Sequence, residues 1–375
     1  MFAITSCSDS SSRHSKTLSF ETDEGSWISL DVAPSGDYLV FELLGDIYTL
    51  PITGGIAKPL IKGREFMSQP RFSPDGKTLV FVSDRSGEDN LWLARADGSD
   101  VRQLSARRDG EFISPSWSSD GQTIYVSQLA SRRSMRGNVE LWAYPVDGRE
   151  PTKIDTPDMG MGSMLVSTFP PGAYGPALLP GTNKLFFTAA KPRQHGDASG
   201  PFAQIMWVNL DTGETDIAST HDASTFRPQL SRDAEWLVYG AVRGNTTGLR
   251  ARSIESGEEH WVLTDIGFNA MESWASRDML PGFAFTPDKA SLVIAYKGKI
   301  NRVSLGDGQV TNIPFSAAVD IEAEARVIST AKIEPGPVTA RIAKGATISP
   351  DGTQFAFSAF GRLHKMTVAD QRLSK

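Results

Sequence analysis

The sequence predicts an all-β chain, a β-propeller of four-stranded blades. Three observations carry this. A strand–turn–strand pattern recurs along the 375 residues. The turns recur at intervals that open at 40 and 45 residues, the length of one four-stranded unit. The second strand of every unit is an unbroken apolar run, as a strand buried on both faces requires.

The unit is clearest from Gln69 to Leu104. Pro74-Asp75-Gly76 forms a turn in which proline presets φ and glycine accepts a positive φ. Thr78 to Ser83 (TLVFVS) is rich in β-branched and aromatic residues and reads as a buried strand. Asn90 to Ala94 makes the next strand, and Val101 to Leu104 a short polar last one. One such meander cannot bury both of its apolar faces and needs copies on either side.

The copies follow in order. Blades are predicted near 26–62, 66–105, 112–155, 174–217, 226–264, 281–316 and 346–375, within a propeller domain spanning 23–375. The second strands read YLVF, TLVFV, TIYV, KLFF, WLVY, SLVIA and QFAF. The fourth turn positions are Gly36, Gly76, Gly121, Thr182, Ala234, Lys289 and Gly352, and the gaps longer than 45 residues reflect inserted loops. One insertion is the basic stretch with Arg132, Arg133 and Arg136 in the third blade. This counts seven blades, with six or eight following if a blade is missed or the ring is incomplete. Residues 1–22 read as a flexible leader, in which Thr17 to Thr22 would close the ring as the outer edge of the last blade.

Composition narrows the function. Hydrophobic residues make up 39% and charged residues 22%, enough apolar mass for a real core. The formal net charge of −6 gives no electrostatic footprint for nucleic acid. No apolar run is long enough for a transmembrane helix.

The single cysteine, Cys7, excludes an internal disulfide. Ile4-Thr5-Ser6-Cys7 resembles the lipobox of bacterial lipoproteins, and the serines after it suit a tether, which makes Cys7 a candidate lipidation position. Only six residues precede it, without a basic or an apolar region. Two readings stand: a periplasmic or exported protein, membrane-tethered through Cys7, whose start lies upstream, or a chance cysteine in a cytoplasmic chain.

At the Ser-Pro-Asp-Gly turns 73–76 and 349–352, the segment Ser83-Asp84-Arg85-Ser86-Gly87 and the strand Asn90-Leu91-Trp92, the chain resembles TolB-like and Tricorn-like propeller repeats. The order Glu24 to Gly55, then the unit above, then Asp320 to Val327, resembles the N-terminal propeller region of large bacterial amidohydrolases. That resemblance implies further blades and a metal-dependent hydrolase barrel beyond them. The expected function is therefore a non-catalytic propeller that binds or gates access for an amidohydrolase-type hydrolase domain missing from this chain. The alternative is a free-standing TolB-like envelope module for protein–protein interaction.

No catalytic, metal or cofactor site is expected. His14, His195, His221, His260 and His364 are scattered rather than paired, and read as surface residues. A Gly-x-Ser-x-Gly elbow and a phosphate-binding loop are both lacking. An enzyme complete in itself would need a metal or nucleophile site that the sequence does not show, and only loss of an activity on substitution of His195 or His221 would revive that reading. Asp84 and Arg85 are expected to form a structural ion pair and turn cap between blades, and Glu322 and Glu324 to be solvated in a linker. The binding candidates are Gln69, Ser114 and Arg227, at equivalent places near the starts of innermost strands, and Met161 and Met164 in a Gly- and Pro-rich excursion. The expected partner is a protein domain or peptide at the propeller face, with a hydrolase domain as one candidate and nucleic acid excluded.

Overall fold

A computed structural model describes residues 16–108, 111–129, 138–158, 171–191, 201–219, 222–267, 269–270, 278–323, 342–368 and 373–374. Residues 1–15 with Cys7 and His14, the insertion arginines, Met161, Met164, His195, His221 and Glu324 lie outside these residues. The described secondary structure consists of strands. The chain divides into two compact units, residues 15–323, and residues 324–375 with the first fourteen.

Residues 15–323 hold six antiparallel four-stranded meanders. The first comprises Leu30–Val32, Tyr38–Leu43, Asp46–Pro51 and Gly55–Ile61. The second comprises Met67–Phe72, Thr78–Ser83, Asn90–Arg95 and Arg102–Gln103. The innermost strands of the next three are Glu111–Trp117, Gly172–Leu178 and Thr225–Leu230, and that of the sixth is Ala284–Phe285. Leu39, Val40, Phe41, Leu79, Val80, Phe81, Leu237, Val238 and Tyr239, all in second strands, are buried to within about 1% of complete exclusion from solvent. Each of these side chains contributes roughly 1.5–3 kcal/mol on burial.

The apolar clusters run from one meander to the next and return to the first. Val40 and Ile47 pack with Leu79 and Phe81, Val80 and Val82 with Phe112 and Ile124, and Leu141 with Leu185 and Phe187. Phe186 and Ile205 meet Leu237 and Tyr239, and Val238 and Leu249 meet Leu292 and Ile294. Leu30, Phe41 and Tyr48 pack with Ala284, Val293 and Ile300, which joins the sixth meander to the first. Backbone bonds sew the same seam, with Leu30 N donating to Gly282 O at 3.1 Å and Gly25 N to Gly298 O at 3.1 Å.

The sequence counts seven units, with six or eight left open, and six of them lie in residues 15–323. The sixth meander packs on the first, and the seventh repeat falls in the other compact unit. The closing strand differs from its expected place. Lys16–Thr22 pairs antiparallel with Phe315–Ala323, Thr22 opposite Ala317, and Phe315–Ala323 pairs parallel with Gly55–Ile61. It therefore edges the first blade, not the last. Glu322, expected to be solvated in a linker, instead sits on the strand Phe315–Ala323, yet stays 54% exposed while pairing with Arg64 at 2.8 Å.

The turns between first and second strands of the second, third, fifth and sixth blades share one chemistry. Ser73 Oγ donates to Asp75 Oδ1 at 2.6 Å, while Lys77 N donates to the same oxygen at 3.0 Å and Thr78 N to Ser73 Oγ at 3.0 Å. The arrangement recurs at Ser118 and Asp120, Ser231 and Asp233, and Thr286 and Asp288. Such side-chain bonds replace the backbone ladder that a tight turn gives up. Asp84 caps the N–H of Phe66 at 2.7 Å, as a turn cap should. Arg85 pairs with Glu65 rather than with Asp84.

The second unit carries a four-stranded sheet of Lys344–Ile348, Gln354–Ala359, Arg362–Thr367 and Leu373–Ser374. Its turn repeats the Ser349–Asp351 bond at 2.5 Å, yet Ile348 and Leu363 are 58% and 76% exposed.

Candidate binding cavity

The innermost strands of the second to fifth blades each bend at one place, and the bend follows from the sequence. Gln69, Ser114, Gly175 and Arg227 each precede a proline, take a positive φ of 55 to 61°, and sit at a break in register. The ring clash of a following proline disfavours ordinary helical backbone at these positions. A one-residue bulge accommodates the left-handed conformation and turns the backbone N–H away from its own ladder.

The freed N–H groups find acceptors on the neighbouring blade. Gln69 N donates to Glu42 Oε2 at 2.5 Å, Gly175 N to Ser127 Oγ at 2.9 Å, and Arg227 N to Thr188 Oγ1 at 2.9 Å. Glu42, Ser127 and Thr188 occupy the fifth position of their second strands. In the second blade that position is Val82, which cannot accept, and Gln69 Oε1 takes the bond from Ser114 N at 2.6 Å instead. At the seam Gly282 N donates to Ser29 Oγ at 2.8 Å. The bends and their acceptors thus hold successive blades in register.

Gln69 and Ser114 therefore serve blade-to-blade contact, buried to 3% and 1% exposure. Ser114 Oγ also donates to Asp278. Arg227 has a second role. Its Nη1 lies 2.9 Å from Asp278 Oδ2, and it lines a cavity of about 360 Å³ at the C-terminal ends of the innermost strands. Asp31, Arg71, Ser116, Trp117 and Arg232 line the same cavity. The expected channel mouth lay near the strand starts; of the three candidates named there, only Arg227 reaches this opening.

Sequence reasoning missed Arg71, Asp31, Glu42 and Asp278. Arg71 Nη1 donates to Leu30 O at 3.0 Å and Phe283 O at 3.1 Å, bridging the first and sixth blades, and stands 3.7 Å from Asp31. Burial, then the charge of Arg227, pulls the Arg71 guanidinium down to about 10. Burial raises the Asp31 carboxyl against the opposing pull of Arg71. Gly282 makes room for this crowding, since a Cβ there would stand 2.3 Å from Arg71 Nη2 and 3.1 Å from Arg227 Nη2.

Among the described residues no group of three or more His, Cys, Asp or Glu is placed to hold a metal ion. His260 and His364 each bond a backbone carbonyl, of Leu305 and Ala359. No described helix is long and apolar enough to cross a membrane.

Residues 19–154 match the family model of the TolB beta propeller domain. An uncharacterized peptidase, YuxL, of Bacillus subtilis is 30% identical over 191 residues, 50% of this chain and 24% of the relative. A TolB homolog of Chlorobium luteolum is 26% identical over 170 residues, 45% of this chain and 33% of the relative. The chain thus matches a third or less of each relative's length. The crystal structure of TolB from Acinetobacter baumannii superposes with a TM-score of 0.55 at 16% identity, covering 78% of this chain and 66% of that one. The fold is a TolB-like β-propeller.

Proposed function

We propose that this TolB-like propeller is a protein-interaction module that binds a protein or peptide segment at the cavity lined by Arg71, Ser116, Trp117 and Arg227. The cavity carries this reading. It joins polar groups to rigid apolar walls, Pro115, Pro176, Pro228, Phe72 and Phe285, the combination by which small sites orient a ligand. Its residues come from several blades, as an opening formed by a whole ring requires.

A second reading keeps the propeller as the gate of a hydrolase. The match to the YuxL peptidase of Bacillus subtilis favours a peptidase over the amidohydrolase that the sequence resemblance implied. Under either reading the chain contributes binding rather than bond cleavage. The TolB likeness supports placement in the periplasm, with tethering through Cys7 a separate proposal tested by metabolic labelling with a fatty acid.

The test is partner retention from an envelope extract by the full chain and by Gln229→Trp, which fills the cavity with an indole. The expected result is a partner retained by the parent and lost by a folded Gln229→Trp. Equal retention by both would refute binding at this opening.

A further inference from the structure

The cavity lining holds two buried polar atoms with no hydrogen-bond partner, Arg227 Nε and Ser116 Oγ. Such orphans are uncommon in folded proteins and call for an explanation. The Arg227 side chain is only 5% exposed, and its ion pair with Asp278 runs through Nη1, leaving Nε unspent. Nε can only donate and the hydroxyl can donate as well as accept, so one acceptor group would satisfy both.

The carboxylates nearby are already engaged. Asp31, in the lining, accepts from Phe72 N at 2.8 Å and Val32 N at 3.0 Å and faces Arg71. Asp278 accepts from Ser114 Oγ and from Met279 N at 2.6 Å, besides pairing with Arg227. Glu42 accepts from Gln69 N. The lining itself presents three guanidiniums, of Arg71, Arg227 and Arg232, against the one carboxylate of Asp31. Around this polar floor stand proline and aromatic walls. The volume, about 360 Å³, lies at the small end for ligand sites.

We propose that the cavity is a carboxylate-binding site, in which Arg227 Nε and Ser116 Oγ donate to the two oxygens, Arg232 supplies charge at the rim, and the apolar walls hold the stem. The proposal rests on the reading of the chain as a peptide-binding propeller and names the group the cavity would take, an acidic side chain on a short apolar-flanked segment. A free small carboxylate offers the same chemistry, and the test separates the two sources.

The full chain is titrated calorimetrically at low salt with acetyl-Phe-Glu-amide, with acetyl-Phe-Gln-amide, and with phenylpropionate. The glutamate peptide should bind at least about tenfold more tightly than its glutamine counterpart, the usual scale for a hydrogen bond to a charged group. Ser116→Ala and Arg232→Ala should each weaken it about fivefold or more. Neither should lower the thermal midpoint, because the hydroxyl has no partner to lose and Arg232 is exposed. Binding of phenylpropionate in place of the peptide assigns the site to a free carboxylate. Equal binding of the glutamate and glutamine peptides, or indifference to both substitutions, overturns the proposal. Retention of a protein partner alongside either result would leave the interaction reading standing without the carboxylate site.

Discussion

Asp278 Oδ2 lies 2.9 Å from Nη1 of Arg227, and the two side chains are 2% and 5% exposed. Asp278 takes a φ of 112° and also accepts from Ser114 Oγ, so one residue of the linker before the sixth blade ties the third blade to the fifth. A buried pair of this kind is costly to break because the survivor is left charged and unpaired. Arg227→Met should therefore destabilise the protein by about 3–5 kcal/mol. Adding Asp278→Asn, which keeps an acceptor for Ser114 but removes the charge, should restore most of that loss. Urea unfolding of the single and double variants measures this; a double variant no better than Arg227→Met alone would show that packing, not charge, dominates.

The bulge acceptors make a second prediction. Thr188→Val keeps the shape of the side chain but leaves the Arg227 N–H without its 2.9 Å acceptor, and should cost about 1–3 kcal/mol. Thr188→Ser retains the hydroxyl and should cost less. Ser127→Ala should behave like Thr188→Val, through the N–H of Gly175. Denaturation midpoints check the order.

Two turns hold a side chain at the positive φ where others hold Gly36, Gly76 and Gly121. Ala234 and Lys289 have φ of 62° and 61°, conformations that L-residues adopt at a cost. Ala234→Gly relieves that strain and should raise stability by up to about 1 kcal/mol, after the extra backbone entropy of glycine. Lys289→Gly should gain less or lose, because Lys289 Nζ lies 2.6 Å from Asp233 Oδ2 across the blade boundary. Paired thermal melts decide it.

Asp233 also predicts a pH response. Burial raises its carboxyl, but hydrogen bonds from Lys289, Ser231 and the Glu235 N–H outweigh it and bring the group down to about 2. Because the folded value lies below the unfolded one, its contribution is fully present above about pH 4 and is lost as pH falls toward 2. Asp233→Asn should cost roughly 1–2 kcal/mol at neutral pH, after allowing for solvent screening, and the gap to the parent should close through that window. A gap independent of pH would contradict the assignment.

The blades were largely legible because each encodes itself locally. Thr78–Ser83 appears in the structure with the bounds read from the sequence. Ring membership was not legible, since the Ser349–Asp351 turn is chemically the same as Ser73–Asp75. What joins the sixth meander to the first is the fit of Leu30 and Phe41 against Val293 and Ile300, a contact between residues more than 250 positions apart. Glu42, Ser127 and Thr188 could have been found as lone polar residues interrupting apolar runs. Arg71, Asp31 and Asp278 could not, because their meeting depends on closure of the ring.

Closure of the ring is tested most directly by producing residues 15–323 alone and following their unfolding beside the full chain. The fragment should melt in one cooperative transition, at the same midpoint as the corresponding transition of the full chain, without binding a hydrophobic dye beforehand. A fragment that aggregates, binds the dye when cold, or melts well below the full chain would contradict a ring completed by the first and sixth blades, and with it the cavity.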